Sequence, residues 1–146
     1  MSDFRRVTES FWASPQITLA DVEQARRQGI ALIVNNRPEG ESDDQAAGAA
    51  IAGAAQAAGI DYCAIPVTPG GFTEQQVDAM VAALNGAQGP VLAYCRSGTR
   101  STLLWSLAQA RNRRDPREIA REAAGAGYDV TPIAALLARL AARTDD

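Results

Sequence analysis

The sequence contains no histidine among its 146 residues. This absence excludes every catalytic dyad or triad that relies on a histidine base, and it removes the commonest side-chain ligand of metal ions. Only two cysteines are present, Cys63 and Cys95, so we expect neither a metal site nor another cofactor. Any catalytic chemistry must therefore use cysteine, arginine, hydroxyl groups, carboxylates and backbone amides.

The sequence also lacks an excess of basic residues. It has 14 Lys and Arg against 17 Asp and Glu, a net charge of -3, whereas proteins that bind nucleic acid normally carry a basic surplus. No apolar stretch is long enough to span a membrane or to serve as a signal peptide. With 47% hydrophobic residues, we expect one domain over residues 1–146, located in the cytoplasm, with neither nucleic acid nor membrane as a partner.

Short apolar runs alternate with helical patterns along the chain. The runs at 30–34, 62–67 and 91–94 are typical of buried strands, and two capping boxes, at 18–21 and 73–76, begin helices that precede the first and the third of these runs. This alternation predicts an α/β fold with a central, mainly parallel sheet flanked by helices. Two further strands are predicted at 6–8 and 10–13, a helix at 44–58, and an all-helical last third with helices at 101–111, from 115 and from 131.

Three polar or glycine-rich loops follow the predicted parallel strands, at 35–40, 68–72 and 95–100. In open α/β sheets, ligands bind outside the carboxyl ends of the strands. We therefore expect these loops to meet at one edge of the sheet and to form the candidate site.

The third loop, Cys95-Arg-Ser-Gly-Thr-Arg100, leads from a strand into a helix. Its N–H groups lack regular partners and can converge on an anion, to which the helix adds its positive end. A cysteine in this position is expected to be a thiolate near neutral pH. We predict Cys95 and Arg100 as catalytic residues, and an anion-binding set that consists of Arg96, Ser97, Gly98, Thr99 and Ser101.

Two classes of enzyme resemble this loop, in which an arginine closes the ring around a thiolate. Cysteine-dependent phosphatases have five residues between the cysteine and the arginine, and rhodanese-type sulfurtransferases have four. Here four residues separate Cys95 from Arg100. The string from Cys95 to Ser101 resembles a rhodanese loop, but the segment at 34–41 does not resemble that family.

Over a longer span, from about residue 4 to residue 108, the chain resembles the phosphatase-like domain family found alone or fused to β-lactamase-hydrolase-like proteins. Three motifs carry the resemblance in the same order: Asn35-Asn-Arg-Pro-Glu-Gly-Glu41, Ile65-Pro-Val67 and Ala93-Tyr-Cys-Arg-Ser-Gly-Thr-Arg-Ser101. The resemblance implies a dual-specificity-phosphatase-like fold. It also implies phosphatase or sulfurtransferase activity, with a persulfide dioxygenase as a candidate partner.

The loop at 67–73 favours sulfur transfer. Cleavage of a phosphomonoester needs a general acid, which related phosphatases supply from this loop, and no carboxylate is present there. Glu74 is interpreted as a capping-box residue, and Asp61 as lying on the far side of the strand. Our leading prediction is a sulfurtransferase that moves a sulfane sulfur through a persulfide on Cys95, from a thiosulfate- or glutathione-persulfide-like donor to a thiol acceptor. The alternatives are a tyrosine or dual-specificity phosphatase acting on a phosphorylated substrate, and a non-catalytic anion-binding module.

Three other features have competing interpretations. Asn36 and Arg37 are candidate contacts for a substrate or partner, although Arg37 is equally well explained as a solvated loop charge. Cys63 is interpreted as a packing residue in its strand, with a resolving cysteine as the alternative. The basic run at 111–121 is interpreted as a solvated face.

Overall fold

The computed structural model describes residues 2–142 and contains a five-stranded sheet. The strand order is β1-β2-β5-β3-β4, in which β1 and β2 are antiparallel and every other pair is parallel. The strands are β1 (Arg5–Thr8), β2 (Phe11–Ser14), β3 (Leu32–Asn35), β4 (Asp61–Ala64) and β5 (Val91–Tyr94). The α/β class and the mainly parallel sheet are therefore confirmed.

Side-chain caps determine where three of the helices begin. Thr18 and Asp21 form a reciprocal capping box at the start of α1, and Thr73 and Gln76 form one at the start of α3. The carboxylate of Asp115 accepts an N–H from the first turn of α5. The helices are α1 (Leu19–Arg27), α2 (Gly48–Ala57), α3 (Glu74–Gly86), α4 (Thr99–Arg111), α5 (Pro116–Gly125) and α6 (Ala134–Ala142), with a 3-10 turn at Thr131–Ile133 before α6.

Helices cover both faces of the sheet. Along β5, Leu92 and Tyr94 pack towards α1 and α2, whereas Val91 and Ala93 belong to the larger core with α3 to α6, as the two-residue period of a strand requires. Helix α4 is the centre of that larger core, because residues 101–108 are all buried. The predicted helical last third thus forms one side of the core.

Some element boundaries differ from the prediction because of contacts made by the loops. Helix α2 begins at Gly48 rather than at 44, and the Glu39 carboxylate accepts the Gly48 N–H at 2.9 Å. Helix α4 begins at Thr99 rather than at 101, which places Arg100 in its first turn. Strand β4 ends at Ala64 rather than at 67, although the chain continues to bond the end of β3 through residues 65 and 67.

The loops after β3, β4 and β5 meet at the carboxyl edge of the sheet, as predicted. The Asn36 N–H donates to the carbonyl of Tyr94, and Arg100 contacts both Glu41 and the carbonyl of Val67. A fourth segment, the end of β2, joins them because the Cys95 N–H donates to the Ser14 carbonyl. No helix within residues 2–142 is both long and apolar enough to cross a membrane.

Candidate active site

Cys95 lies directly after β5 and is completely buried. Its Sγ accepts the N–H of Gly98, with the two heavy atoms 3.1 Å apart. Gly98 is the N-cap of α4, so the positive end of that helix begins next to the sulfur. The predicted nucleophile therefore has a backbone donor and a helix N-terminus directed towards it.

The backbone at Gly98 requires glycine. Its φ of 92° lies in the left-handed region, and a Cβ at this position would be 2.1 Å from the Tyr128 hydroxyl oxygen. The same hydroxyl donates to the Ser97 carbonyl at 3.2 Å, and the Arg5 guanidinium lies 5.3 Å from the centre of the Tyr128 ring. Tyr128 thus supports the loop from behind, a role that the sequence did not reveal.

Arg100 is held by three hydrogen bonds that leave one edge of its guanidinium available. Nη1 donates to Glu41 Oε2 at 2.8 Å and to the Val67 carbonyl at 2.6 Å, and Nη2 donates to Glu41 Oε1 at 2.8 Å. A guanidinium has five N–H donors, so the bonds use both hydrogens of Nη1 and one of Nη2. The other two donors, on Nε and Nη2, share one edge of the guanidinium, a planar arrangement that suits two oxygens of an oxyanion, and Cys95 interacts with this guanidinium as well.

Glu41 is the residue that fixes this arrangement. It lies mostly buried between Arg100 and Arg37, whose Nε donates to Oε1 at 2.9 Å. The hydrogen bonds from Arg100, and to a lesser extent those from Arg37, lower the pKa of Glu41 to about 2 despite its burial. The pKa of Arg100 is raised, first by Glu41, with Cys95 also contributing. Glu41 closes the Asn35–Glu41 motif, but neither the motif nor its spacing indicated that this residue pairs with Arg100.

Asn36 and Arg37 lie inside the fold, and the contact with a substrate or partner that we expected of them stays a prediction. Asn36 is fully buried, and its side chain donates to the carbonyl of Ile65. Arg37 is only 5% exposed and donates to Gln16, Glu41 and Ser42. The alternative of a solvated charge at Arg37 is wrong, because these bonds keep the guanidinium inside the fold.

The predicted anion-binding residues divide into two groups. Arg96, Ser97 and Thr99 are exposed at the mouth of the loop, where the Ser97 hydroxyl bonds to that of Thr99 at 3.0 Å. Gly98 and Ser101 are buried, and within residues 2–142 the Ser101 hydroxyl has no hydrogen-bond partner. Within the described residues, Gly98 is the member of this set whose N–H donates to Cys95 Sγ.

Cys63 is too far from Cys95 to act as its resolving partner in this structure. It is half-buried on β4 opposite Val34, which is itself opposite Ala93 on β5. Two strand spacings separate β4 from β5 by about 10 Å, whereas a disulfide needs Cα atoms within about 7 Å. Burial raises the pKa of the Cys63 thiol, which agrees with the interpretation as a packing residue.

Asp61 and Glu74 are the two carboxylates that we considered as general acids in place of one from the loop at 67–73. Their positions agree with the prediction, but the role of Glu74 needs a correction. Asp61 begins β4, at the end of the strand opposite the site. Glu74 is the first residue of α3, but the capping box consists of Thr73 and Gln76, so the capping role assigned to Glu74 is wrong.

Comparison with known proteins identifies the family. Residues 3–112 match the model of the phosphatase-like domain of beta-lactamase hydrolase-like proteins. The chain belongs to this family. It is 37% identical over 105 residues, 72% of its length, to a beta-lactamase hydrolase-like protein of Agrobacterium fabrum, of which the match covers 24%. The chain spans about a quarter of the length of the curated relatives it matches.

Solved structures agree with this assignment. A candidate phosphatase from Neisseria meningitidis is 33% identical and superposes with a TM-score of 0.84, over 96% of this chain and 99% of that one. A kinase-associated phosphatase shares the fold with a TM-score of 0.73 at 17% identity, over 99% and 97% of the two chains. The resemblance and the dual-specificity-phosphatase-like fold are confirmed, and the relatives favour the phosphatase alternative over sulfur transfer.

Proposed function

We propose that this domain is a cysteine-dependent phosphatase. The observation that carries the proposal is the pairing of Cys95 with an arginine whose Nε and Nη2 donors remain available while Glu41 and Val67 hold its other edge. Such a fork matches two oxygens of a phosphoryl group. The family and its structural neighbours support the same chemistry.

Each residue has a defined part in the proposed reaction. The Cys95 thiolate attacks phosphorus and forms a cysteinyl phosphate, which water then hydrolyses. Arg100 and the loop N–H groups stabilise the charge on the phosphoryl oxygens. Arg96, exposed at the mouth of the loop, attracts the dianionic substrate.

Steady-state turnover of p-nitrophenyl phosphate tests this proposal. Cys95→Ser should abolish turnover, and Arg100→Lys should lower kcat/KM by about 100- to 1,000-fold, since a lysine cannot provide the planar fork. Cys63→Ser is the matched control and should retain activity. Turnover that survives in the Cys95→Ser variant would refute the proposal.

Sulfur transfer remains a second candidate because of two observations. The ring between Cys95 and Arg100 contains four residues, and the loop at 67–73 contains no carboxylate. This chemistry would use a small anionic sulfur donor and a thiol acceptor, with a persulfide dioxygenase as the expected partner. One added sulfur atom on Cys95 after incubation with thiosulfate, measured by intact mass, would support it. An unchanged mass would argue against it.

A further inference from the structure

The loop at 67–73, from which related phosphatases supply their general acid, contains no carboxylate. The loop at 67–73 contains two glycines, a proline, two threonines, a phenylalanine and a valine. Asp61 lies at the opposite end of its strand, and Glu74 stands beyond this loop as the first residue of α3. Asp61 is therefore remote from the leaving oxygen above Cys95, and Glu74 lies outside the loop from which the acid is expected.

Glu41 is the carboxylate in direct contact with the catalytic arginine, and its geometry excludes it as the acid. Oε1 accepts from Arg100 and Arg37, and Oε2 accepts from Arg100. A proton on either oxygen would have to displace one of these charged donors. The low pKa of Glu41 agrees with this geometry.

Glu39, Asp43 and Asp44 are the other carboxylates on the loop that carries Glu41. Both oxygens of Glu39 accept the Gly48 N–H at the start of α2. The other two residues, Asp43 and Asp44, are exposed. Asp44 accepts a hydrogen bond from the Ser42 hydroxyl, which is the main cause of its lowered pKa. A carboxylate with a lowered pKa is ionised at neutral pH and has no proton to donate.

We propose that the site selects its substrates by leaving group, and that it takes aryl phosphates and discriminates against alkyl phosphates. This inference rests on the proposed phosphatase function. A phenol has a pKa of about 10 and departs as a stable phenolate. An alkoxide is about as basic as hydroxide, whose parent water has a pKa of about 15.7, so it needs a proton as it leaves.

The reaction balances without an enzymic acid when the leaving group is a phenol. The Cys95 thiolate forms an S–P bond while the P–O bond to the phenol breaks, and the electron pair of that bond remains on the phenolate, which later takes a proton from water. A water molecule then forms a new P–O bond, the S–P bond breaks to regenerate the thiolate, and the proton of the water leaves with the inorganic phosphate or the solvent.

The test is a series of phosphate esters with graded leaving groups. Aryl phosphates, from nitrophenyl to unsubstituted phenyl, are compared with an alkyl ester of similar size, benzyl phosphate. General acid catalysis contributes about 100- to 10,000-fold, so we expect kcat/KM for benzyl phosphate to be at least about 1,000-fold below that for phenyl phosphate. A ratio within tenfold would overturn the inference. If no aryl ester is turned over, the proposed function itself fails.

Two variants sharpen this test. For each one, the slope of log kcat/KM against the pKa of the leaving group is compared with the slope of the unchanged protein. Glu41→Gln should lower turnover of all aryl esters by a similar factor and leave the slope unchanged, because Glu41 positions Arg100. The double variant Asp43→Asn with Asp44→Asn should also leave the slope unchanged. A steeper slope in either variant would identify a carboxylic acid that protonates the leaving group, and would overturn the inference.

Discussion

At the scale of single residues, the site depends on side chains that touch the loop from outside it. Tyr128 donates to the Ser97 carbonyl and fills the space beside Gly98. This contact turns a carbonyl of the loop towards the tyrosine, while the next N–H, that of Gly98, points at Cys95. The conformation of the loop is therefore fixed in part by the C-terminal third of the chain.

We predict that Gly98→Ala disables the site. The new Cβ would collide with the Tyr128 hydroxyl, and the left-handed φ costs about 1–3 kcal/mol for a residue other than glycine. We expect turnover to fall more than tenfold, measured as kcat/KM on an aryl phosphate, together with a lower midpoint of urea unfolding. Adding Tyr128→Phe should recover part of the loss by removing the nearest atom. An active Gly98→Ala variant of normal stability would contradict this account.

At the scale of elements, the helix caps were predictable from sequence because they depend on residues three apart. The strands, and the order of strand, cysteine loop and helix, were also predictable, because apolar runs and turn residues that are close in sequence determine them. The pair of Glu41 with Arg100 spans 59 residues, and the bond from Tyr128 to Ser97 spans 31. Contacts of this kind are set by the meeting of loops in space, so neither the pattern nor the spacing of residues revealed them.

The two capping boxes provide a matched pair of variants. Gln76 caps α3 and also donates to the Pro66 carbonyl, beside the Val67 carbonyl that holds Arg100. Asp21 caps α1, away from these loops. We predict that Gln76→Ala and Asp21→Ala each destabilise the fold by about 1 kcal/mol, measured by urea unfolding, because each removes the hydrogen bond to the N–H of the N-cap residue. Only Gln76→Ala should also lower kcat/KM, and an equal effect of both on turnover would contradict the proposed link.

At the scale of the whole molecule, four segments that are distant in sequence form the site at one edge of the sheet. The loops after β2, β3, β4 and β5 all contribute, and α4 adds its N-terminus. The ion pairs of Glu41 join the β3 loop to α4. Because these charges tie separate parts of the chain together, the site and the fold should lose stability together at low pH.

We predict an acid-dependent loss of stability that is due to Glu41. Its pKa is about 2 in the fold and 4.5 as a free side chain, so the folded state binds fewer protons than the unfolded state between these values. Its contribution is complete above pH 4.5 and disappears as the pH falls towards 2. Unfolding by urea at pH 7 and pH 3 should show a smaller drop for Glu41→Gln than for the unchanged protein. Equal drops would contradict the prediction.

The central claim is that Cys95 takes a phosphoryl group, and its most direct test is the intact mass of the protein quenched in acid during turnover of an aryl phosphate. The account predicts one added phosphoryl group, located on Cys95 by peptide mapping and absent from the Cys95→Ser variant, while Cys63→Ser still acquires it. Complete absence of the phosphoryl group, with an added sulfur atom on Cys95 after exposure to thiosulfate, would contradict the account and establish sulfur transfer instead.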